Sequence, residues 1–244
     1  MKICIDAGHN FSGYDTGATG NGLKEQNITF PIANKLKALL EGIGIAVVMT
    51  RPTLESNTDN SSLNASINKR AQICNSNNCN LFVSIHANAG GGTGTETYAF
   101  SEKSEGYTLA TAINKAIVEK LKLRDRGAKT ANFGVLRLSN CPAVLVETAF
   151  IDNYSDSLLL KNNQDDFATA IFNGICTHLG YENKPVQEQA AEVKELETIN
   201  DLVWELSERG ILSNKELWLK KLGQDSDAYW LARKTVKYLM SKGV

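Results

Sequence analysis

The stretch Ile3-Cys4-Ile5-Asp6-Ala7-Gly8-His9 is a short apolar run that is followed by a carboxylate, a glycine and a histidine. A second run, Leu81-Phe82-Val83-Ser84-Ile85-His86, also leads directly into a histidine. Short apolar runs of this kind predict strands, and amphipathic segments between them predict helices. The first part of the chain alternates between the two patterns, which indicates an α/β domain.

The predicted elements extend this alternation to about residue 180. Strands are expected at 3–5, 45–50, 81–85, 95–100, 135–138 and 143–146, and helices at 27–41, 63–74, 104–122 and 167–179. The predicted fold class is a layered α/β domain with a mostly parallel or mixed sheet flanked by helices. Residues 1–181 form this domain, 182–195 a polar linker, and 196–244 a small all-α module.

The composition and charge of the chain argue against nucleic acid and membranes as binding partners. Lys and Arg number 26 and Asp and Glu 27, for a net charge of −1, so binding to nucleic acid through bulk electrostatics is not expected. No run reaches the roughly 20 apolar residues of a membrane span, so no membrane insertion is expected. The apolar run at the start is too short for a signal-peptide core, which predicts a product made in the cytoplasm.

Five cysteines occur, and no two have the C-x-x-C spacing. The odd number argues against a disulfide framework, and the spacing argues against a cysteine zinc finger. Cys74 and Cys79 could pair in an oxidising medium, but reduced thiols are the favoured interpretation.

Two of the three histidines follow predicted strands, where functional side chains of α/β sheets gather. His9 and His86 can therefore converge, and Glu25, near the start of the first helix, can fold over the same edge. Two imidazoles and a carboxylate would leave a fourth zinc position open, as in catalytic sites. Taken singly, each histidine could simply be hydrogen-bonded, and Glu25 could serve the helix dipole. The third histidine, His178, is interpreted as structural.

Glu147 follows the apolar strand 143–146. A carboxylate at such a place costs free energy unless it has a partner. Two interpretations remain open, a salt bridge to an arginine and a general base beside the metal. The glycine-rich segment 90–95 lacks the ending of a phosphate-binding loop, so a mobile loop beside the site is favoured over a phosphate cradle.

Four segments together resemble a known family: Asp6-Ala7-Gly8-His9, Gly22-Leu23-Lys24-Glu25, Ser84-Ile85-His86-Ala87-Asn88 and Val144-Leu145-Val146-Glu147-Thr148. Their order and intervals are similar to those of the zinc-dependent N-acetylmuramoyl-L-alanine amidases of the third amidase family, which occur in bacterial autolysins and phage lysins. Segments 67–71 and 133–137 add to the resemblance, which covers about residues 2–180. Ala7 and Ala149 depart from the family pattern of proline and glycine without touching a ligand position.

The resemblance implies that His9, Glu25 and His86 bind Zn²⁺ and that Glu147 is the catalytic proton-transfer residue. The implied reaction is hydrolysis, by a zinc-activated water, of the amide between N-acetylmuramic acid and L-alanine in peptidoglycan. It also implies a phage-type endolysin or a lytic autolysin that acts on the cell wall after release.

Three further residues are candidates for supporting or substrate-binding roles. Asp6 either orients a ligand histidine or organises a turn. Arg70 either neutralises a stem-peptide carboxylate, pairs with Glu147 or forms a structural ion pair. Asn88 is a possible supporting or substrate-binding residue next to the second histidine motif.

Other functions remain as alternatives. A zinc peptidase acting on the stem peptide is disfavoured because a His-x-x-Glu pair is absent. A non-catalytic wall-binding protein is disfavoured because all four site positions are intact, and the same holds for a purely structural scaffold.

The module at 196–244 contains all three tryptophans, Trp204, Trp218 and Trp230. They could stack on wall sugars or fill a small helical core, and the core is favoured for at least two of them. The 49 residues of the module are few for an independent core. Cell-wall targeting and self-association are therefore its expected roles.

Overall fold

A computed structural model describes residues 1–181. The predicted linker and the predicted helical module lie outside the described residues and stay predictions. Within the described part, the strands are β1 Lys2–Ala7, β2 Thr19–Gly20, β3 Leu23–Lys24, β4 Ala46–Met49, β5 Leu81–Asn88, β6 Thr95–Ala99, β7 Asp125–Thr130 and β8 Ala143–Phe150. The helices are α1 Glu25–Gly42, α2 Leu63–Ser76, α3 Glu105–Leu121, α4 Gly134–Leu138, α5 Tyr154–Asn162 and α6 Gln164–His178.

Six strands form one sheet in the order β4-β1-β5-β8-β6-β7. β4, β1, β5 and β8 are parallel neighbours, whereas β6 runs antiparallel to β8 and parallel to β7. The predicted α/β fold with a mostly parallel or mixed sheet is therefore confirmed. None of the described helices is long and apolar enough to cross a membrane.

The central strands are buried on both faces, and their alternating side chains divide the core in two. From β1, Ile3, Ile5 and Ala7 enter a large cluster with α1, α3 and α6. Cys4 points the other way, into a smaller cluster with Phe82 and residues of α2 and α4. The second face is the one that leads to the predicted site.

Strand register places the predicted site residues at one edge. Ala7 of β1 pairs with Ile85 of β5, and His86 pairs with Glu147 of β8. Because the three strands are parallel, their carboxyl ends lie side by side. β5 and β8 continue beyond their predicted ends, so His86 and Glu147 lie inside strands and are held by the ladder on both sides.

Three of the longer elements differ from the predictions, and the two-residue strands β2 and β3 were not predicted either. Residues predicted as a strand at 135–138 belong to the helix α4, because a short apolar run has no distinguishing period and Val135 and Leu136 meet the core from one helical turn. β7 was not predicted, since this strand at the edge of the sheet is polar and contains Gly127 at a φ of 81°. α5 was not predicted either, although Asn153 caps it by accepting a hydrogen bond from the Asp156 amide.

Substitution of Asp156 tests how much this side chain contributes to holding the loop before β6 in place. Its carboxylate is buried and accepts hydrogen bonds from the backbone amides of Gly94 and Phe150, at 2.8 and 3.0 Å. Asp156→Ala would leave both amides unpaired, so we expect a loss of about 2–3 kcal/mol in unfolding free energy. Urea denaturation followed by circular dichroism measures this change.

The matched control is Asp165→Ala, which removes an exposed carboxylate and should cost less than about 1 kcal/mol. Equal losses for the two variants would contradict the assigned role of Asp156.

Candidate functional site

Three side chains with metal-binding atoms converge at the carboxyl edge of the sheet. His9 Nε2 lies 3.1 Å from Glu25 Oε1, and His86 Nδ1 lies 3.0 Å from the same oxygen. The two histidine nitrogens are themselves 3.1 Å apart. The structure thus brings together His9, Glu25 and His86, which the sequence places 16 and 61 positions apart along the chain.

The backbone shapes this convergence. His9 follows β1 with a left-handed φ of 67°, which turns its ring toward the edge of β5. Gly8 passes so close to β5 that an added Cβ would lie 2.5 Å from the His86 ring. Gly17 is equally close to Glu25, where a Cβ would lie 2.6 Å from the carboxylate. A residue with a side chain at either position would clash with a metal-binding side chain, so both positions require glycine.

Glu25 is the first residue of α1 and is almost completely buried. Its Oε2 accepts a hydrogen bond from the Ala18 amide at 2.8 Å, and Oε1 accepts one from the Ala87 amide at 3.0 Å. Two backbone amides from different segments therefore fix the carboxylate. Burial works against its ionisation, but His86 and His9 outweigh burial and hold the pKa of Glu25 well below its usual range.

Asp15 orients His9, a role that the sequence analysis did not assign. His9 Nδ1 lies 2.9 Å from Asp15 Oδ1, and in the tautomer that donates this hydrogen bond, Nε2 offers a lone pair toward Glu25. Burial opposes protonation of His9, yet Asp15 and Glu25 outweigh it and raise its pKa to about 9. The only sequence signal was an acidic residue in the loop that follows the histidine.

Asp6 does not have either of the roles considered for it. It lies inside β1, fully buried on the face opposite Ala7, and accepts hydrogen bonds from Thr50, Ser84 and Arg70 at 2.5, 2.6 and 2.7 Å. Strand alternation directs it toward α2, so it makes no hydrogen bond to His9 or His86 within the described residues. Its influence on His9 passes through Arg70.

Arg70 forms a structural ion pair. Its guanidinium is buried and donates to Asp6 Oδ1 at 2.7 Å and to Asp15 Oδ2 at 3.2 Å. It also donates to the Ala7 carbonyl and to Asn10. The interpretation in which Arg70 pairs with Glu147 is wrong, because its terminal nitrogens donate to these other partners. Arg70 also borders the cavity beside the histidines, so its contact with a stem-peptide carboxylate stays a prediction.

Glu147 lies on β8 beside His86 and is half-buried, with its Oε2 atom shielded from solvent. Its Oε2 makes no hydrogen bond within the described part of the chain, and no arginine there forms a salt bridge with it. Burial raises the pKa of Glu147 to about 7, although His86 opposes the shift. Such a carboxyl group can exchange a proton near neutral pH.

Asn88 and the glycine-rich segment flank the site. The Asn88 amide donates to Glu96 Oε1 at 2.6 Å, and Glu96 also pairs with Arg126. The backbone amides of Gly90 and Gly91 both donate to Asp152 Oδ2 at 2.8 Å. A carboxylate of the chain itself thus occupies the anion-binding amides of this segment, which agrees with the preference against a phosphate cradle.

An apolar cavity of about 170 Å³ adjoins the two histidines. Its apolar lining consists of Leu63, Ile67, Phe133, Val135 and Leu145, and Asp15, Arg70 and Gly134 also border it. The walls come from α2, the α4 region and β8. The site therefore combines a polar edge with an apolar depression beside it.

The three converging side chains fit a divalent metal. In tetrahedral zinc sites with bonds of about 2.0–2.1 Å, ligand atoms lie about 3.3 Å apart, close to the 3.0–3.1 Å found here. Two imidazole nitrogens and one carboxylate oxygen that face one another repel unless a proton or a cation lies between them. The three atoms also satisfy the spacing expected of a metal-binding group.

Comparison with known proteins agrees with this geometry. The family model described as N-acetylmuramoyl-L-alanine amidase matches residues 3–177. The chain therefore belongs to this family.

Two relatives and a solved structure illustrate the likeness. The sporulation-specific N-acetylmuramoyl-L-alanine amidase of Bacillus subtilis (strain 168) is 40% identical over 166 residues, covering 67% of this chain and 61% of that protein. The endolysin of Bacillus phage SPP1 is 35% identical, covering 75% of this chain and 67% of its own length. The crystal structure of an N-acetylmuramoyl-L-alanine amidase from Clostridium difficile 630 has 33% identity and a TM-score of 0.65, covering 74% of this chain and 97% of that one. The chain thus spans less than two thirds of the Bacillus subtilis relative.

Asp15→Asn tests whether Asp15 prepares His9 for a metal. Loss of the carboxylate removes the partner that holds the ring orientation, so we expect affinity for Zn²⁺ to fall by about 10–100-fold. Competition with a chromogenic chelator measures the affinity. Asp165→Asn, a neutralised carboxylate that lies exposed on α6, is the control and should bind Zn²⁺ like the wild type. An unchanged affinity in Asp15→Asn would remove Asp15 from the site.

Glu147→Gln tests the raised pKa of Glu147 in the metal-free protein. A carboxyl group whose pKa rises from 4.5 to about 7 on folding destabilises the fold as pH rises through this interval, because its charged form is buried. With chelator present, the variant should exceed the wild type in stability by about 2–3 kcal/mol at pH 8 and match it at pH 4. Denaturation at both pH values measures the difference, and a constant difference would contradict the shift.

Proposed function

We propose that this protein hydrolyses the amide bond between N-acetylmuramic acid and L-alanine in peptidoglycan, with Zn²⁺ bound by His9, Glu25 and His86. The observation that carries the proposal is the convergence of these three side chains within 3.0–3.1 Å, with the half-buried carboxyl group of Glu147 on the neighbouring strand. Membership in the N-acetylmuramoyl-L-alanine amidase family supports the choice of bond.

The metal would supply Lewis-acid chemistry, which polarises a carbonyl oxygen and lowers the pKa of water to about 7. His9 and His86 would provide two neutral nitrogen ligands and Glu25 one charged oxygen. Three protein ligands leave a further position for water and substrate, as in catalytic sites. Asp15 and the amides of Ala18 and Ala87 hold two of these ligands before any metal arrives.

Glu147 would transfer the proton. Its carboxylate form accepts a proton from the attacking water, and its acid form returns the proton to the nitrogen of the leaving alanine. A pKa near 7 makes both transfers accessible at neutral pH. Among the described residues, the Oε2 atom of Glu147 has no hydrogen-bond partner, which leaves it available to accept the proton.

The apolar cavity would hold the substrate next to these groups. The scissile amide is flanked by two methyl-bearing carbons, one on the lactyl group and one on alanine. Leu63, Ile67 and Phe133 present apolar walls of matching chemistry within reach of His9 and His86. We propose that the enzyme acts on the wall after release from the cytoplasm, as an endolysin or a lytic autolysin.

The test is the metal content and activity of the full chain on purified peptidoglycan. About one Zn²⁺ at the histidine site, with chelator-sensitive release of new L-alanine amino termini, would support the proposal. New termini at other residues would instead indicate a peptidase acting on the stem peptide. Binding to walls with no new termini would indicate a non-catalytic protein.

Glu147→Gln separates proton transfer from metal binding. The amide cannot accept the proton, so we expect a fall in kcat of at least about 100-fold with Zn²⁺ retained. The assay counts new L-alanine amino termini, and elemental analysis counts the metal. Glu41→Gln, a neutralised glutamate on the far end of α1, is the control and should keep full turnover. Full activity in Glu147→Gln would remove this residue from the mechanism.

A further inference from the structure

Four of the five cysteines of the chain meet behind the catalytic edge. Cys4 comes from β1, Cys74 from α2, Cys79 from the segment before β5, and Cys141 from the segment before β8. The remaining one, Cys176, lies apart in the core under α6. The absence of a C-x-x-C spacing had argued against a cysteine metal site, yet the fold collects thiols that are up to 137 positions apart (Cys4 to Cys141).

The sulfur atoms of this thiol cluster (Cys4, Cys74, Cys79 and Cys141) face one another. The Sγ atoms of Cys4, Cys74 and Cys79 all lie within 4.8 Å of each other. Cys141 Sγ lies 3.6 Å from Cys74 Sγ. Four sulfurs around one tetrahedral zinc, at bonds of about 2.3 Å, are about 3.8 Å apart, whereas a disulfide requires about 2.05 Å. The sulfurs of Cys4, Cys74 and Cys79 therefore have the dimensions of a mononuclear site, and the Cys141 sulfur lies outside this group, next to Cys74.

Packing alone does not account for the arrangement. Cysteine can serve as a small apolar residue, and apolar neighbours such as Phe82 and Val135 line the same cluster. If these cysteines only filled apolar space, their sulfur atoms would not have to lie next to one another. Cys4 and Cys74 have no solvent exposure and Cys79 has 8%, so these three thiols are enclosed on most sides, whereas Cys141 is half-buried.

We propose that the thiol cluster binds a single thiophilic metal ion such as Zn²⁺, with Cys4, Cys74 and Cys79 as ligands and Cys141 completing the set. Soft thiolates select ions of this class. A small shift of Cys141 toward the other three sulfurs would supply the fourth protein ligand and close the coordination shell, which gives the ion a structural role and no chemistry with substrate. This site is distinct from the histidine site and does not depend on the proposed function.

The metal would connect the elements that support the catalytic edge. Cys74 lies one helical turn beyond Arg70 on α2, and Cys4 lies two residues before Asp6 on β1. The ion would therefore fasten α2 to β1 next to the buried pair of Arg70 and Asp6. Loss of the ion should lower the thermal unfolding temperature, since only the folded chain presents the four sulfurs together.

The experiment counts metal in the full chain purified under reducing conditions with Zn²⁺. We expect about two equivalents in the wild type and about one in either Cys79→Ala or His86→Ala. Cys176→Ala removes a buried thiol outside the cluster and is the matched control, with about two equivalents. Cys79→Ala should also unfold several degrees below Cys176→Ala.

Cobalt substitution of the wild type gives a second reading that needs no cysteine variant. Thiolate-to-cobalt charge-transfer absorption that persists in His86→Ala would support the proposal, even if Cys79→Ala failed to fold. Absence of this absorption, with one metal in the wild type, would overturn it. A mass two hydrogens lower, with a mapped Cys74–Cys141 disulfide, would also overturn it. Loss of metal in His86→Ala tests the histidine site alone, so the two proposals fail separately.

Discussion

The guanidinium of Arg70 is shared inside the domain by two carboxylates, those of Asp6 and Asp15, and all three side chains are buried. Leaving one such charge without its partner costs several kcal/mol, so the strand, the helix and the loop that carry them have one compatible arrangement. Asp15 in turn holds the ring of His9. The geometry of the metal-binding side chains therefore depends on a buried ion-pair network, two members of which, Asp15 and Arg70, also border the cavity beside the histidines.

Two pairs of residues, one on α2 and one on β1, have nearly the same spacing along the chain axis, and this lets one helix support two sites. Arg70 and Cys74 are separated by one turn, about 6.0 Å along a helix, and Asp6 and Cys4 by two strand residues, about 6.6 Å. The helix can thus present a charged group and a thiol to the same face of one strand. The polar pair lies toward the carboxyl edge, and the thiol cluster lies behind it.

Two glutamates at this edge differ through their surroundings. Glu25 contacts both histidines and two backbone amides, which favours its charged form. Glu147 is half-buried, and its shielded Oε2 has no partner within the described residues; this desolvation raises its pKa to about 7 and favours its neutral form. When two neighbouring carboxyl groups have very different pKa values, they commonly have different roles, here metal ligand and proton-transfer residue. Here the division follows from the position of each residue, at a helix start and inside a strand.

The sequence by itself determined the fold class, the strands that lead to His9 and His86, and the family resemblance, because periodicity and short motifs are local properties. It misassigned α4 and did not show β7, α5, the role of Asp15 or the thiol cluster. Those depend on which distant segments become neighbours: Asp15 reaches Arg70 through a loop, and Cys4 meets Cys74 only when α2 packs on β1. Strand register and helix packing, which arise from contacts between residues far apart in the chain, decided these features.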